Sequence, residues 1–170
     1  LLNNFPNHGD DMFRILGIGE FTDGPFFLFG TPQWVNGTRL VAKAGWRNEN
    51  HSLGTTDFKA IIDGWKAVND ELISDPNGGY PDGITKLRWT LAQVPFITTG
   101  YLNNLKALGV VVMVLGGWRW LTGDAANNGP PFRPIVDNGI RVAMHSDGTQ
   151  ISTMRPWINI YYAVTGKNAR

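Results

Sequence analysis

Hydrophobic positions along the chain follow two periods in alternation. Short apolar runs suited to strands are separated by longer stretches in which apolar residues recur every three or four positions. Phe13 to Phe21 predicts a first strand, followed by a loop rich in glycine and phenylalanine through Gly30. Pro32 to Ala44 predicts a helix, with Pro32 in its first turn and Gly45 as its stop. Trp46 to Ser52 reads as an extended segment, unusually polar for a strand. The next helix runs to about Ile73, capped by Thr55 or Thr56 and apolar at Phe58, Ile61, Ile62, Trp65 and Val68. Turn-forming residues fill Ser74 to Gly83, a surface loop. A strand over Lys86 to Val94 and a helix over Thr98 to Leu108 come next. Val110 to Leu115 is continuous Val, Met and Leu, as a strand covered on both faces requires. A short helix (Pro130 to Asn138, stopped by Gly139), a strand (Ile140 to Met144) and a last helix (Met154 to Val164) complete the pattern. That last helix is apolar at Trp157, Ile160, Tyr161 and Val164.

Five strands alternating with helices specify an α/β fold built from parallel βα units with right-handed crossovers. An open doubly wound sheet and part of a (β/α)8 barrel both satisfy that order. Gly17-Ile18-Gly19-Glu20-Phe21-Thr22 lacks the third glycine of a dinucleotide-binding turn, which weakens the first. Five units are too few for a closed barrel, which takes eight strands and roughly 200 residues or more. The chain of 170 residues shows no internal repeat or linker, so residues 1–170 are expected to form one domain.

Composition narrows the function classes. Fifteen Lys and Arg against fourteen Asp and Glu leave a net charge of +1, which argues against a nucleic-acid partner or an anionic membrane surface. No apolar run reaches the roughly 18 residues of a membrane span. Without cysteine there is no disulfide, thiolate metal site or cysteine nucleophile. A cytoplasmic location is expected. Beginning at Leu1 without a basic and then apolar lead, the chain reads as part of something longer.

Candidate chemistry gathers at predicted strand ends, the active-site face of parallel α/β folds. Glu20 and Asp23 follow the first strand. Glu49 and His51 are two apart and share a face of the second. Gln93 ends the third, Trp118 and Arg119 follow the fourth, and His145 and Asp147 share a face after the fifth. Carboxylates and imidazoles at one mouth suit a divalent metal that activates water. The plainer reading is that such residues cap helices or bond loop backbone. His8 is expected in solvent and most of the seven tryptophans in the core, with Trp118 and Trp120 lining a pocket for an apolar or aromatic small molecule.

Four stretches in order resemble the metal-dependent amidohydrolases, in particular the branch of YtcJ-like proteins and N-substituted formamide deformylase. Ala44 to Gly54 (A-G-W-R-N-E-N-H-S-L-G) is similar to the family's fifth-strand A-G-W-x-V-H-x-H-A-x-G-D. Arg88 to Gln93 resembles the sixth-strand R-H-R-I-E-H. Ile140 to Asp147 resembles the eighth-strand I-P-V-A-x-G-S-D, and Trp157 to Thr165 matches the family's next segment. Leu16 to Gly24 resembles the fourth-strand G-V-K-x-F-x-D-G. The resemblance implies a partial (β/α)8 barrel of strands four to eight, completed by segments not in this chain, in an oligomer or a longer polypeptide. It also implies metal-assisted hydrolysis of an amide or N-formyl C–N bond, with His51 and Asp147 as metal ligands and Asp147 as general base. Gln93, Trp118, Arg119, His145 and Glu49 are then expected at the substrate. Gly19 stands where the family carries a bridging lysine, Gln93 where it carries a histidine, and Glu49 replaces the first histidine of its strand. These departures point to a single ion (zinc, iron or manganese) instead of two. On ideal alternation Glu20 points to the opposite face. Two competing readings are a non-catalytic barrel subunit that has lost part of its metal site, and a lyase or isomerase.

Overall fold

The computed structural model describes residues 8–20, 28–54, 56–95, 97–115, 131–148 and 152–167. Three two-residue strands open it: β1 (His8–Gly9) and β2 (Arg14–Ile15), which pair antiparallel, and β3 (Gly17–Ile18). Next come α1 (Pro32–Lys43), β4 (Arg47–Ser52), α2 (Asp57–Ile73), β5 (Thr90–Gln93), a 3-10 turn (Thr99–Tyr101) leading into α3 (Leu102–Ala107), β6 (Val111–Leu115), α4 (Phe132–Asp137), β7 (Arg141–His145) and α5 (Pro156–Thr165). Strands β3 to β7 form one parallel sheet in chain order. This is the α/β architecture of a partial barrel, left open with β3 and β7 at its edges.

Local chemistry explains the elements. The Thr31 hydroxyl caps α1 by accepting from Trp34 N (3.3 Å), and Gly45 ends the helix in the left-handed region (φ 71°). Phe58, Ile61, Ile62, Trp65, Val68 and Leu72 of α2 are buried, each stabilising by about 1.5–3 kcal/mol relative to exposure. Gly64 lets Trp34 of α1 lie against α2: a Cβ there would stand 2.4 Å from Trp34 Cζ3. Trp65 meets Trp89 edge-on (5.4 Å), and Trp89 donates its indole N–H to Trp46 O (2.9 Å), binding the helix layer to the sheet.

Several expectations change in detail. The first strand is cut to two short pairs. The third begins only at Thr90, because successive turns at Gly83, Thr85 and Leu87 occupy the preceding stretch. Thr56 makes no side-chain cap; instead Asp57 Oδ2 accepts from Leu53 N (3.1 Å) and Gly54 N (2.6 Å), pinning the turn that leaves β4. Thr55 lies outside the described residues. β6 is covered fully on one face and unevenly on the other: Val112 and Val114 are fully buried under the helices, while on the inner face Leu115 is fully buried and Val111 and Met113 are half-buried. α5 also departs, since its apolar residues lie outward, Trp157 at 77% and Val164 at 79% exposure, with Asn159 as its buried position. His8 is exposed as expected but sits in β1. Among the described residues no helix is long and apolar enough to cross a membrane.

Candidate functional site

The register aligns His51, Ala92, Met113 and Ala143 across β4 to β7, so these four share the inner face of the sheet. Glu49 lies two residues back on the same face, and its Oε1 is 2.9 Å from His51 Nε2. Asn48, Asn50 and Ser52 occupy the opposite face of β4 and are buried, so the strand is polar on both faces.

Strict alternation would set Ala92, not Gln93, beside His51. The backbone overrides it: Gln93 adopts φ 72° and Val94 φ 43°, with Val94 N bonded to Ala92 O (3.0 Å), an i to i+2 turn centred on Gln93. The side chain thereby turns inward, its Nε2 donating to Asp147 Oδ2 (2.8 Å) and lying 3.4 Å from His51 Nδ1. Asp147 also has a left-handed backbone (φ 52°), and its Oδ1 lies 3.7 Å from His145 Nδ1. The His51 and His145 rings are 6.3 Å apart. Glu49, His51, Gln93, His145 and Asp147 therefore form one cluster at the carboxyl ends of β4, β5 and β7. Trp118, Arg119, Trp120 and Asp23 lie outside the described residues.

Glu20 corrects the alternation argument. It lies two residues past β3, beyond the strand's pleat, and its Oε1 reaches within 3.2 Å of His51 Nδ1. The signal that would have placed it is Gly19, which ends the strand and frees the next residue from its alternation.

Burial pushes the His51 pKa down, but the Glu49 hydrogen bond and the charges of Glu20, Glu49 and Asp147 outweigh it, and the net direction is up. A carboxylate stands at each ring nitrogen, so a protonated ring would donate to both, while a neutral ring with Nδ1 unprotonated would accept from the Gln93 amide. His145 goes the other way: burial, reinforced by His51, pushes it down against the pull of Asp147 and Glu49. Among the described residues Gln93 Oε1, His145 Nε2 and Ser52 Oγ are buried with no hydrogen-bond partner.

Imidazole and carboxylate are suitable donors for zinc, iron or manganese. Yet among the described residues no group of three or more is disposed to hold an ion. His51 and Asp147 are donors of a suitable kind, and ligation would require a neutral His51 that turns a lone pair away from a carboxylate.

A model of the amidohydrolase family matches residues 7–170. Among solved structures, the chain is similar to an uncharacterized metal-dependent hydrolase from Pyrococcus furiosus, with TM-score 0.65 and 12% identity over 96% of this chain. It spans 37% of that protein's length. No curated protein matches it. The family match over nearly the whole length, together with the parallel strand order and polar strand ends, establishes that this chain belongs to the amidohydrolase family.

Proposed function

We propose that the chain supplies the later strands of a barrel that hydrolyses a C–N bond, an amide or N-formyl group, in a protein of the YtcJ-like branch. The observation that carries the reading is the Asp147 carboxylate held by a neutral donor within one cluster with His51. A divalent ion bound by His51, Asp147 and donors outside this chain would polarise the carbonyl and make water acidic enough to deprotonate near neutral pH. Asp147, through the oxygen not bonded to Gln93, takes the proton from attacking water and passes it to the leaving nitrogen. Glu49 orients the His51 ring through Nε2. His145, beside Asp147 in the same cluster, and Trp118 and Arg119, in the sequence after β6, are proposed to face the substrate.

Asp147→Asn in the full-length protein tests this. Turnover of N-formyl and N-acetyl amines should fall at least about 100-fold with folding intact; retained turnover removes the assignment of the base. Metal analysis of the purified protein should find about one ion per chain.

A second reading, a non-catalytic subunit, draws on both His51 nitrogens being engaged by carboxylates. It predicts no bound metal and no hydrolysis. In either case the open edge at β7 and the outward apolar face of α5 are proposed to pack against the rest of the barrel, from another segment or chain.

A further inference from the structure

Gln93 is held in an arrangement that simple packing does not require. It is 3% exposed, and it sits at the centre of a turn whose positive φ (72°) is strained for a residue with a side chain. Its Nε2 reaches from β5 past β6 to the residue beyond β7 that accepts its bond. That acceptor, Asp147, is strained in the same sense (φ 52°). Among the described residues the same amide leaves Oε1 buried without a partner, and an unsatisfied acceptor of this kind costs about 1–3 kcal/mol. The orientation is set by chemistry: an ionised carboxylate only accepts, so Nε2 faces Asp147 and Oε1 turns away. Leucine or methionine would fill the space with no orphaned oxygen. What the amide adds is control of the carboxylate.

Building on the reading of Asp147 as base, we propose that Gln93 is a positioning residue: it commits Oδ2 of Asp147 to a neutral N–H and leaves Oδ1 as the oxygen that handles the proton. A neutral donor fixes the rotamer without introducing a positive charge, as lysine or arginine would. In this role Gln93 acts on the carboxylate, not on the substrate that the resemblance sets beside it. Its effect on the reaction passes through Asp147, and a misplacement of about 1 Å there suffices for a loss of order 100-fold.

The test uses the full-length protein, N-formylbenzylamine and N-acetylbenzylamine as probes, and three variants. Gln93→Met keeps length without a donor; Gln93→Glu keeps shape but sets an acceptor against Oδ2; Asp147→Asn is the reference. Expected is a kcat about 10- to 100-fold lower in both Gln93 variants, KM within about twofold, and metal content per chain equal to wild type. The split between kcat and KM, with metal retained, is a pattern that general loosening of the fold would not give. If Gln93→Met does not fold, Gln93→Glu decides on the same criteria. Turnover within twofold of wild type in the folded Gln93 variants overturns the positioning role, and so does a loss of kcat matched by a loss of metal. If wild type hydrolyses neither probe, or Asp147→Asn retains turnover, the hydrolytic reading fails first and takes the positioning role with it.

Discussion

Gly64 lies in the middle of a seventeen-residue helix, where glycine ordinarily costs about 1 kcal/mol relative to alanine. Helix propensity alone therefore predicts that Gly64→Ala stabilises by about that amount. The packing predicts the opposite. The new methyl would lie 2.4 Å from Trp34 Cζ3, about 1 Å inside ordinary contact, and Trp34 has little room to retreat, being fully buried and edge-on to Phe29 at 5.5 Å. Overfilling a core of this kind costs about 1–3 kcal/mol, so the net effect is a loss of about 1 kcal/mol. Urea unfolding followed by far-UV circular dichroism measures it without relying on tryptophan emission. The same substitution in a Trp34→Phe background, where the ring no longer reaches as far, should be neutral or stabilising by up to about 1 kcal/mol. Stabilisation by Gly64→Ala with Trp34 in place would refute the argument that the helices α1 and α2 are set by this ring.

Other outcomes rest on single contacts. Asp57→Ala removes the acceptor for Leu53 N and Gly54 N and should cost about 1–2 kcal/mol, with faster hydrogen exchange at those two amides; Asp57→Asn, which keeps one acceptor oxygen, should cost less. The Arg39 hydrogen bond holds the Glu71 carboxyl below its ordinary value. Its contribution is complete above about pH 4.5 and is lost as pH falls through the lowered folded value, so Glu71→Gln should flatten the acid limb of a stability profile, by well under about 1 kcal/mol for so exposed a pair. Trp157→Asp on the outward face of α5 should leave an isolated βα unit indifferent but weaken assembly of the full barrel, seen as aggregation or a lowered melting temperature.

Much of the fold was legible because its elements carry strong periodic signals. α2 and α1 announce themselves through apolar spacing, Pro32 and Gly45, and the parallel order is dictated by strand–helix alternation. Signals failed where the determining contact is remote. Thr56 resembled a cap, yet the turn is closed by the carboxylate one residue on. The inner face of β6 is covered unevenly, Leu115 being buried while Val111 and Met113 are half-buried, a difference that a uniform run of Val, Met and Leu does not announce. At the site, i, i+2 spacing within β4 accounts for the pairing of Glu49 with His51, whereas Asp147 comes near His145 from beyond the end of β7 with a positive φ. That spacing does not account for Glu20 or the inward turn of Gln93, because each lies where the strand pleat has ended or been broken by a positive φ.

The row His51, Ala92, Met113, Ala143 sets one long, flexible thioether between two methyl groups on the floor of the mouth. Neither alanine has bulk to give up, so within this row among the described residues it is Met113, which bends readily and carries no charge, whose length would bear on the room left for a substrate under the proposed function. Shortening it to alanine or broadening it to phenylalanine would widen or narrow the acceptable girth while leaving every proton-handling group in place, and selectivity could thus drift by one codon without rebuilding the machinery.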